Sequence, residues 1–232
     1  MTFPTARLAS DDGGAHRSYP RSVEVYATAS RRNAAVRWLS LRAGEARLRR
    51  HARFFPLTGV TEASRVVDVG CGGLGLRALE PGLDITGVDV ADRPDYPGPF
   101  VRADAADELP FEDGAFDLAY SNSVVEHIAP ERRARFAAEL RRVARGWYVQ
   151  TPAIAFPLDP HSLLPFAHWL PVSLRRPYWR LGAGGEWEEI HLLRRAEMAA
   201  LFGAPRPERV GPVVKSWVAI RPIAPSSPTN HA

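Results

Sequence analysis

A glycine-rich turn at residues 67–75 is the segment of this sequence best suited to binding a ligand. A short apolar run that contains one acid, Asp68, leads directly into Gly70, Gly72 and Gly75. Glycine allows positive φ angles and lets a ligand approach the backbone where a side chain would collide with it. We expect a helix to start directly after the turn. The exposed N–H groups then form an electropositive cradle for a nucleoside or nucleotide.

Carboxylates follow the turn at the spacing expected for the ends of neighbouring strands. Asp89 comes 19 residues after Gly70. A carboxylate there can accept hydrogen bonds from two ribose hydroxyls. Asp104 and Ala105 end the next expected strand, close to where an adenine would lie. The spacing therefore predicts a nucleoside site at one edge of a parallel sheet.

The same glycines leave an NAD-linked oxidoreductase open as an alternative. Gly70, Gly72 and Gly75 match the Gly-x-Gly-x-x-Gly fingerprint of dinucleotide-binding proteins. Asp68 argues against it, because a carboxylate aimed at the turn opposes a pyrophosphate and suits a ligand that carries positive charge. Lys215 is the only lysine and stands apart near the C-terminus, so the sequence lacks a Tyr-x-x-x-Lys pair for hydride transfer.

Two histidines are candidates for accepting a proton from a substrate. His127 follows the fourth expected strand, beside the expected ligand pocket, where a purely structural role is the alternative. His161 lies in a segment rich in Pro and aromatic residues, and Asp159 can orient its ring as a base. Turn residues in an aromatic lid are the alternative interpretation of that pair.

No metal site is predicted. The single cysteine, Cys71, excludes an intramolecular disulfide and any multi-cysteine zinc or iron–sulfur site, and we interpret it as a small residue packed in the turn. The group Glu186, Glu188, Glu189 and His191 has the residue types of a metal cluster, but surface carboxylates are the better interpretation.

Strand and helix patterns alternate from residue 65 onward, which predicts a mostly parallel sheet covered by helices. An amphipathic helix is expected over residues 130–145 and ends at Gly146. Residues 152–193 are weakly periodic and are expected to form an insertion or lid. The expected strands are 66–69, 85–90, 101–104, 116–120 and 147–151, followed by a helix at 194–202 and one or two closing strands within 210–220.

The composition indicates one globular domain. The chain has 232 residues, 45% hydrophobic and 24% charged. No run approaches ~18 apolar residues, and the N-terminus lacks an apolar signal core, so we expect no membrane span and a cytoplasmic location. Residues 1–60 carry 11 arginines and a net charge of +7. Because aromatic residues do not interleave with them, a nucleic-acid partner is not expected.

These motifs resemble the successive motifs of class I S-adenosylmethionine-dependent methyltransferases. The resemblance rests on the Asp68-Val-Gly-Cys-Gly run, Asp89, Asp104-Ala105 and residues 116–127, and it covers residues 65–151. It implies a doubly wound α/β fold, a mostly parallel seven-stranded sheet with an antiparallel last strand, and S-adenosylmethionine as cofactor. In one departure, Leu74 stands where the family usually has a third glycine.

The resemblance also assigns roles to residues. Asp68 and Gly70 lie near the methionyl part of the cofactor, Asp89 holds the ribose, and Asp104 with Ala105 holds the adenine. The implied cofactor-binding set is Asp68, Gly70, Gly72, Asp89, Asp104, Ala105 and Asn122, with His127 and His161 as the catalytic candidates.

The expected function is methyl transfer by in-line displacement to a small-molecule or carbohydrate-like acceptor. Ser121-Asn122-Ser123 stands where enzymes that methylate base amino groups carry Asn-Pro-Pro-Tyr, which argues against a nucleic-acid substrate. A cofactor-binding module of the same fold without catalysis is the alternative, and the oligomeric state stays open. The expected segments are a disordered 1–20, a basic helical N-terminal extension at 21–60, a methyltransferase domain at 61–221 and a disordered tail at 222–232.

Overall fold

A seven-stranded sheet forms the centre of the computed structural model, which describes residues 53–182 and 187–223. Its strands are β1 (Arg65–Val69), β2 (Asp84–Asp89), β3 (Phe100–Arg102), β4 (Phe116–Asn122), β5 (Ala144–Pro152), β6 (Arg206–Val210) and β7 (Val213–Arg221). The order is β3-β2-β1-β4-β5-β7-β6. Strands β1 to β5 are parallel, and β7 runs antiparallel to both β5 and β6. The predicted doubly wound, mostly parallel sheet is confirmed.

Helices cover both faces of this sheet. Helix α1 (Phe54–Thr58) lies on one face, where Phe54 packs edge-on against Tyr120 and Tyr148. Helix α2 (Arg133–Val143) lies on the other, and its apolar stripe of Phe136, Leu140 and Val143 is fully buried. Because the central strands are buried on both sides, they read in the sequence as short continuous apolar runs.

Most of the predicted N-terminal extension at residues 21–60 lies outside the described residues; α1 is its described part. The segments predicted to be disordered, 1–20 and 222–232, also lie outside, apart from Pro222 and Ile223. The backbone N–H of Ile223 donates to the Thr58 carbonyl. This hydrogen bond ties the end of the described chain to the end of α1.

A helix forms within the predicted range of residues 130–145, but it ends earlier than predicted. Residues Pro130–Arg132 form a 3-10 turn before α2 begins, and α2 stops at Val143. Ala144 already pairs with Phe116 in the sheet. Gly146 does not stop a helix: it lies in β5, where a Cβ atom would come within 2.6 Å of the Arg221 carbonyl oxygen. Sheet pairing therefore decides this boundary.

The helix expected directly after the glycine turn is not formed. Residues 72–79 make a series of consecutive turns. Gly72 and Gly75 have φ angles of 61° and 56°, which a right-handed helix cannot accommodate. Two helix-like hydrogen bonds follow, from the Ala78 N–H to Leu74 and from the Glu80 N–H to Leu76. The N–H groups facing the ligand site therefore belong to a turn.

The described part of residues 153–193 adds no strand to the main sheet, as expected for an insertion. It contains a 3-10 turn at Ala167–Trp169 and helix α3 (Val172–Trp179). The indole N–H of Trp169 donates to the Ile154 carbonyl oxygen at 2.7 Å, which holds this segment against the end of β5. The term lid segment is used below for residues 153–182.

The C-terminal elements agree with the prediction except at one edge. Helix α4 (Arg195–Phe202) lies where the helix at 194–202 was predicted. Strand β6 was missed, because Arg206, Pro207 and Glu208 give no apolar pattern at an exposed sheet edge. Among the described residues, no helix is both long and apolar enough to cross a bilayer.

Candidate cofactor and acceptor site

A cleft with a volume of about 560 Å³ opens at the carboxyl ends of β1, β2 and β4. Strands β2 and β4 lie on opposite sides of β1, so the cleft stands where the strand order reverses. Open α/β sheets bind their ligands at that position. The predicted site residues that line the cleft are Gly70, Gly72, Asp89, Asp104, Ala105 and His127.

The glycine turn forms the floor of the cleft. Gly70 has a φ of 73°, and a Cβ atom there would come within 2.2 Å of Cγ2 of Val124. Gly72 has a φ of 61°, and a Cβ atom there would meet no atom within 4 Å. Gly70 is therefore required by close packing, whereas Gly72 leaves its backbone open to a ligand.

The Asp89 carboxylate is buried at the end of β2 and holds the turn in place. Its Oδ2 accepts from the Gly72 N–H at 3.0 Å, and its Oδ1 accepts from the Ala91 N–H at 3.0 Å. Burial alone would raise the pKa of Asp89, but Arg93 and these backbone donors lower it below its usual value. The carboxylate is therefore charged, and both of its oxygens already accept hydrogen bonds.

Arg93, which the sequence analysis did not single out, competes for this carboxylate. Its Nη2 lies 3.1 Å from Oδ1 of Asp89 and its Nε lies 3.1 Å from Oδ2. With the two backbone donors, three hydrogen bonds reach the two carboxylate oxygens. A ribose can bind here when Arg93 turns away. The i, i+4 spacing of Asp89 and Arg93 in the sequence could have predicted this ion pair.

Asp68 lies beneath the turn and is not part of the cleft wall. It is buried, and its Oδ2 accepts from the Leu76 N–H at 2.6 Å. A Cβ atom on Gly75 would come within 2.3 Å of the same oxygen. Asp68 therefore holds the turn from below. A direct contact between Asp68 and the cofactor stays a prediction.

Asp104 and Ala105 line the opposite wall. Strand β3 ends at Arg102, two residues earlier than expected. The Asp104 Oδ1 accepts from the Ala106 N–H at 2.8 Å, and its Oδ2 accepts from Nη2 of Arg132 at 2.9 Å. Arg132, which also lines the cleft, was not predicted. The contact of Asp104 and Ala105 with an adenine stays a prediction.

Asn122 is the last residue of β4, and the cleft wall begins one residue later, at Ser123 and Val124. Ser123 has a φ of 58°, which is uncommon for a residue other than glycine. Its N–H donates to the Gln150 carbonyl oxygen and its hydroxyl to the Gln150 side chain. These bonds hold the strained residue that turns the chain into the cleft.

His127 and His161, predicted separately, lie in direct contact. Their Nε2 atoms are 3.2 Å apart and their rings are nearly perpendicular. The Nδ1 of His127 lies 2.7 Å from Oε1 of Glu188. Burial, followed by the charge of His127, lowers the pKa of His161 to about 4. His161 is therefore neutral near pH 7.

Glu126, which the sequence analysis passed over, lies directly behind the two histidines. Its side chain is fully buried, and its Oε2 accepts from the Thr151 hydroxyl at 2.9 Å. Its Oε1 lies 3.8 Å from Nε2 of His161. Burial raises the pKa of Glu126 above its usual value. The sequence feature that could have identified Glu126 is its position next to a candidate histidine, after a buried strand.

The prediction that Asp159 orients the His161 ring is wrong. The Asp159 Oδ1 accepts from the backbone N–H of His161 at 3.0 Å, and from the N–H and the hydroxyl of Ser162. Its Oδ2 lies 3.4 Å from Nδ1 of His168. Asp159 therefore holds a turn in the lid segment, the local pattern that Asp side chains commonly form.

We expect the replacement Asp159→Asn to destabilise the fold in a pH-dependent way. Burial alone would raise the pKa of Asp159, but the neighbouring His168 and hydrogen bonds from Ser162 and the His161 backbone lower it to about 2. Its unfolded value is about 3.9, so the charged form stabilises the fold by about 2 kcal/mol above pH 4. That contribution disappears as the pH falls from about 4 towards 2.

Denaturant titrations of the wild type and Asp159→Asn at pH 7, 5 and 3.5 measure this contribution. The difference in the free energy of unfolding should be equal at the two higher pH values and smaller at pH 3.5. Asp113→Asn is the control, because Asp113 is an exposed partner of Arg142. Equal stability of the wild type and Asp159→Asn at pH 7 would contradict the assignment.

The other expected groups are also placed. Burial raises the pKa of Cys71 to about 12, so its thiol stays protonated and is poorly suited to nucleophilic attack, in agreement with a packed residue. Of the four residues considered as a metal cluster, Glu186 lies outside the described residues. Glu188 contacts His127 instead, and the His191 backbone donates to the Glu126 carbonyl oxygen.

Comparison with known proteins agrees with this geometry. Residues 67–146 match the family model of a methyltransferase domain. A protein from Pyrococcus horikoshii has the same fold, with 19% identity and a TM-score of 0.56 over 78% of this chain and 92% of that one. A SAM-dependent methyltransferase from Methanosarcina mazei aligns with 17% identity and a TM-score of 0.45 over 71% and 95% of the two chains. No curated protein matches significantly.

The sheet order, the cleft and the matched domain define a Rossmann-like methyltransferase fold. The match over residues 67–146 supports a class I S-adenosylmethionine-dependent methyltransferase, with S-adenosylmethionine as the cofactor.

The residues of the cleft fit this cofactor. A volume of about 560 Å³ lies within the usual range for small-molecule sites. The open backbone at Gly72 offers a close approach, and the charged Asp89 offers acceptors for hydroxyl groups. Asp89 and Asp104 each pair with an arginine of the cleft, Arg93 and Arg132, and Glu188 adds a further carboxylate to the lining.

Proposed function

We propose that this protein transfers the methyl group of S-adenosylmethionine to a small-molecule or carbohydrate-like acceptor. The observation that carries the proposal is that a single cleft is lined both by Asp89 and by His127, which contacts His161. Cofactor and acceptor groups can therefore meet in one space. The nucleophile of the acceptor lies at the histidine end of the cleft.

The cofactor is proposed to lie along the turn. Its ribose binds at Asp89, and its adenine is held by Asp104 together with the Ala105 backbone. The methionyl part then lies near Gly70 and Gly72, above Asp68 and towards Asn122. This orientation matches the order of the lining residues along the cleft, from the end of β3 through the ends of β2 and β1 to the end of β4.

When bound, S-adenosylmethionine supplies a methyl group that is already activated on a sulfonium. The protein has to exclude water, align the nucleophile and remove a proton where the acceptor carries one. Val124, Ile128 and Phe136 give the cleft an apolar wall near His127 that excludes water. The proposed catalytic residues are His127 and His161, whose ring nitrogens stand at the acceptor end.

The lid segment is proposed to recognise the acceptor. A second cavity of about 340 Å³ is lined by Ile154, His168 and Arg175 of this segment and by apolar residues that precede α4. Its residue Pro130 directly follows Ala129, which lines the cleft. Its apolar residues, beside basic groups and the acidic Glu197, favour a partly hydrophobic acceptor.

The assay for this proposal measures S-adenosylhomocysteine formed from S-adenosylmethionine with panels of phenols, carboxylic acids, amines and glycosides. We expect acceptor-dependent product with at least one panel. His127→Gln should lower turnover about 100-fold while S-adenosylhomocysteine still binds. Glu189→Gln is the control, because this exposed carboxylate lines neither cavity.

Two outcomes would contradict the proposal. Binding of S-adenosylhomocysteine without turnover on any panel would favour a cofactor-binding module without catalysis. Full activity of His127→Gln would remove the histidine pair from the mechanism.

A further inference from the structure

The cluster of Glu126, His127 and His161 has the composition and geometry of a metal site. Each residue offers one ligand atom, and all three atoms lie within 4.8 Å of one another. We propose that these residues bind a divalent transition-metal ion of the Zn²⁺ type through Oε1 of Glu126 and the Nε2 atoms of both histidines. The ion would activate the acceptor proposed above.

The distance between the two histidines is the first observation. Their Nε2 atoms are 3.2 Å apart, with the rings at 85°. Two imidazole nitrogens that bind one tetrahedral zinc ion at 2.0–2.1 Å are about 3.3 Å apart. The histidines therefore already have the separation of two ligands of one ion. Glu126 Oε1 lies 3.8 Å from Nε2 of His161, so a small shift of this carboxylate completes the set.

The second observation is a buried carboxylate oxygen without compensation. Oε1 of the fully buried Glu126 has no hydrogen-bond partner among residues 53–182 and 187–223. Its other oxygen is bound by Thr151, which leaves Oε1 directed towards the histidines. A buried, unpaired carboxylate oxygen is costly. A proton shared by the two histidines would leave this oxygen unpaired, whereas a cation between the three residues would satisfy it.

The third observation is the partner of His127. Its Nδ1 lies 2.7 Å from Oε1 of Glu188, so the ring N–H donates to that carboxylate. This bond leaves the Nε2 lone pair directed at His161. Histidine ligands of metal ions commonly donate their other N–H to a carboxylate in this way. Two neutral imidazoles and the carboxylates of Glu126 and Glu188 also balance the charge of a divalent ion.

The donor set selects the class of ion. Imidazole suits Zn²⁺ and related transition ions, whereas Mg²⁺ and Ca²⁺ prefer oxygen ligands. About a quarter of the His127 side chain is exposed (26%), which provides access for the ion. Three protein ligands leave at least one coordination position for an acceptor hydroxyl. The ion lowers the pKa of that hydroxyl, whose proton is released to water.

The test is a calorimetric titration of the full chain with ZnCl₂, after chelator treatment and without a polyhistidine tag. We expect one saturable site in the wild type, and its loss in His161→Asn and in the isosteric Glu126→Gln. Glu188→Gln should weaken binding about 10-fold. The matched controls, His191→Asn and Glu189→Gln, should bind as the wild type does. Co²⁺ should occupy the same site, give visible absorption bands typical of nitrogen ligands, and be displaced by Zn²⁺.

Circular dichroism and S-adenosylhomocysteine affinity verify that each variant is folded. No saturable Zn²⁺ binding by the wild type would overturn the proposal, as would unchanged binding by both His161→Asn and Glu126→Gln. If both variants fail to fold, the Co²⁺ spectrum of the wild type tests the proposal. Absorption bands typical of nitrogen ligands support the site, and their absence excludes it. Because the titration contains neither cofactor nor acceptor, its failure is distinct from failure of methyl transfer.

Discussion

Asp89→Asn is expected to weaken the binding of S-adenosylhomocysteine by about 100-fold, close to 3 kcal/mol. The carboxylate accepts hydrogen bonds on both oxygens, from Gly72 on one side and from Ala91 on the other. An amide places a donor where one of these acceptors stood. The change therefore loosens the turn and removes an acceptor for the ribose hydroxyls at the same time.

Asp92→Asn is the matched control. Asp92 lies three residues after Asp89, and its exposed carboxylate pairs with Arg102. Calorimetric titration of both variants, with thermal unfolding alongside, separates loss of binding from loss of structure. Wild-type affinity in a folded Asp89→Asn protein would show that the ribose does not bind at Asp89.

Gly70→Ala is expected to have the largest effect on stability. The new Cβ atom would lie 2.2 Å from Cγ2 of Val124, and the residue has a φ of 73° that alanine adopts with strain. Steric overlap and backbone strain together cost about 2–4 kcal/mol. For a chain of this size, that lowers the melting temperature by roughly 5–15 °C.

Gly73→Ala is the control, because a Cβ atom there meets nothing within 4 Å. Adding Val124→Ala to Gly70→Ala should restore part of the lost stability, since the overlap is with the Val124 side chain. Calorimetric melting of the three variants measures these effects. A Gly70→Ala protein as stable as Gly73→Ala would contradict the packing described here.

The central strands were predictable because burial on both faces leaves a continuous apolar signal. The segment 66–69 matches β1 within one residue, and 116–120 lies within β4. The helix expected after the turn was wrong for a local reason that the sequence does carry. Gly72 and Gly75 provide the positive φ angles that prevent it.

The acceptor end of the site was only half predictable. His127 and His161 were identified as candidates, but their contact joins residues 34 positions apart, and Glu188 is 61 positions from His127. Such contacts depend on how residues distant in the chain fold onto the end of β4, which local sequence patterns do not encode. Of the two interpretations of Asp159, the turn residue is correct, because its carboxylate bonds to the nearby backbone instead of to the neighbouring ring.

The most direct test of the cofactor site is a crystal structure of the protein with S-adenosylhomocysteine. We expect the ribose hydroxyls within hydrogen-bond distance of Asp89, the adenine beside Ala105, and Arg93 turned away from the carboxylate that it now contacts. A nucleoside bound elsewhere, with the pair of Arg93 and Asp89 intact, would contradict the assignment of this cleft.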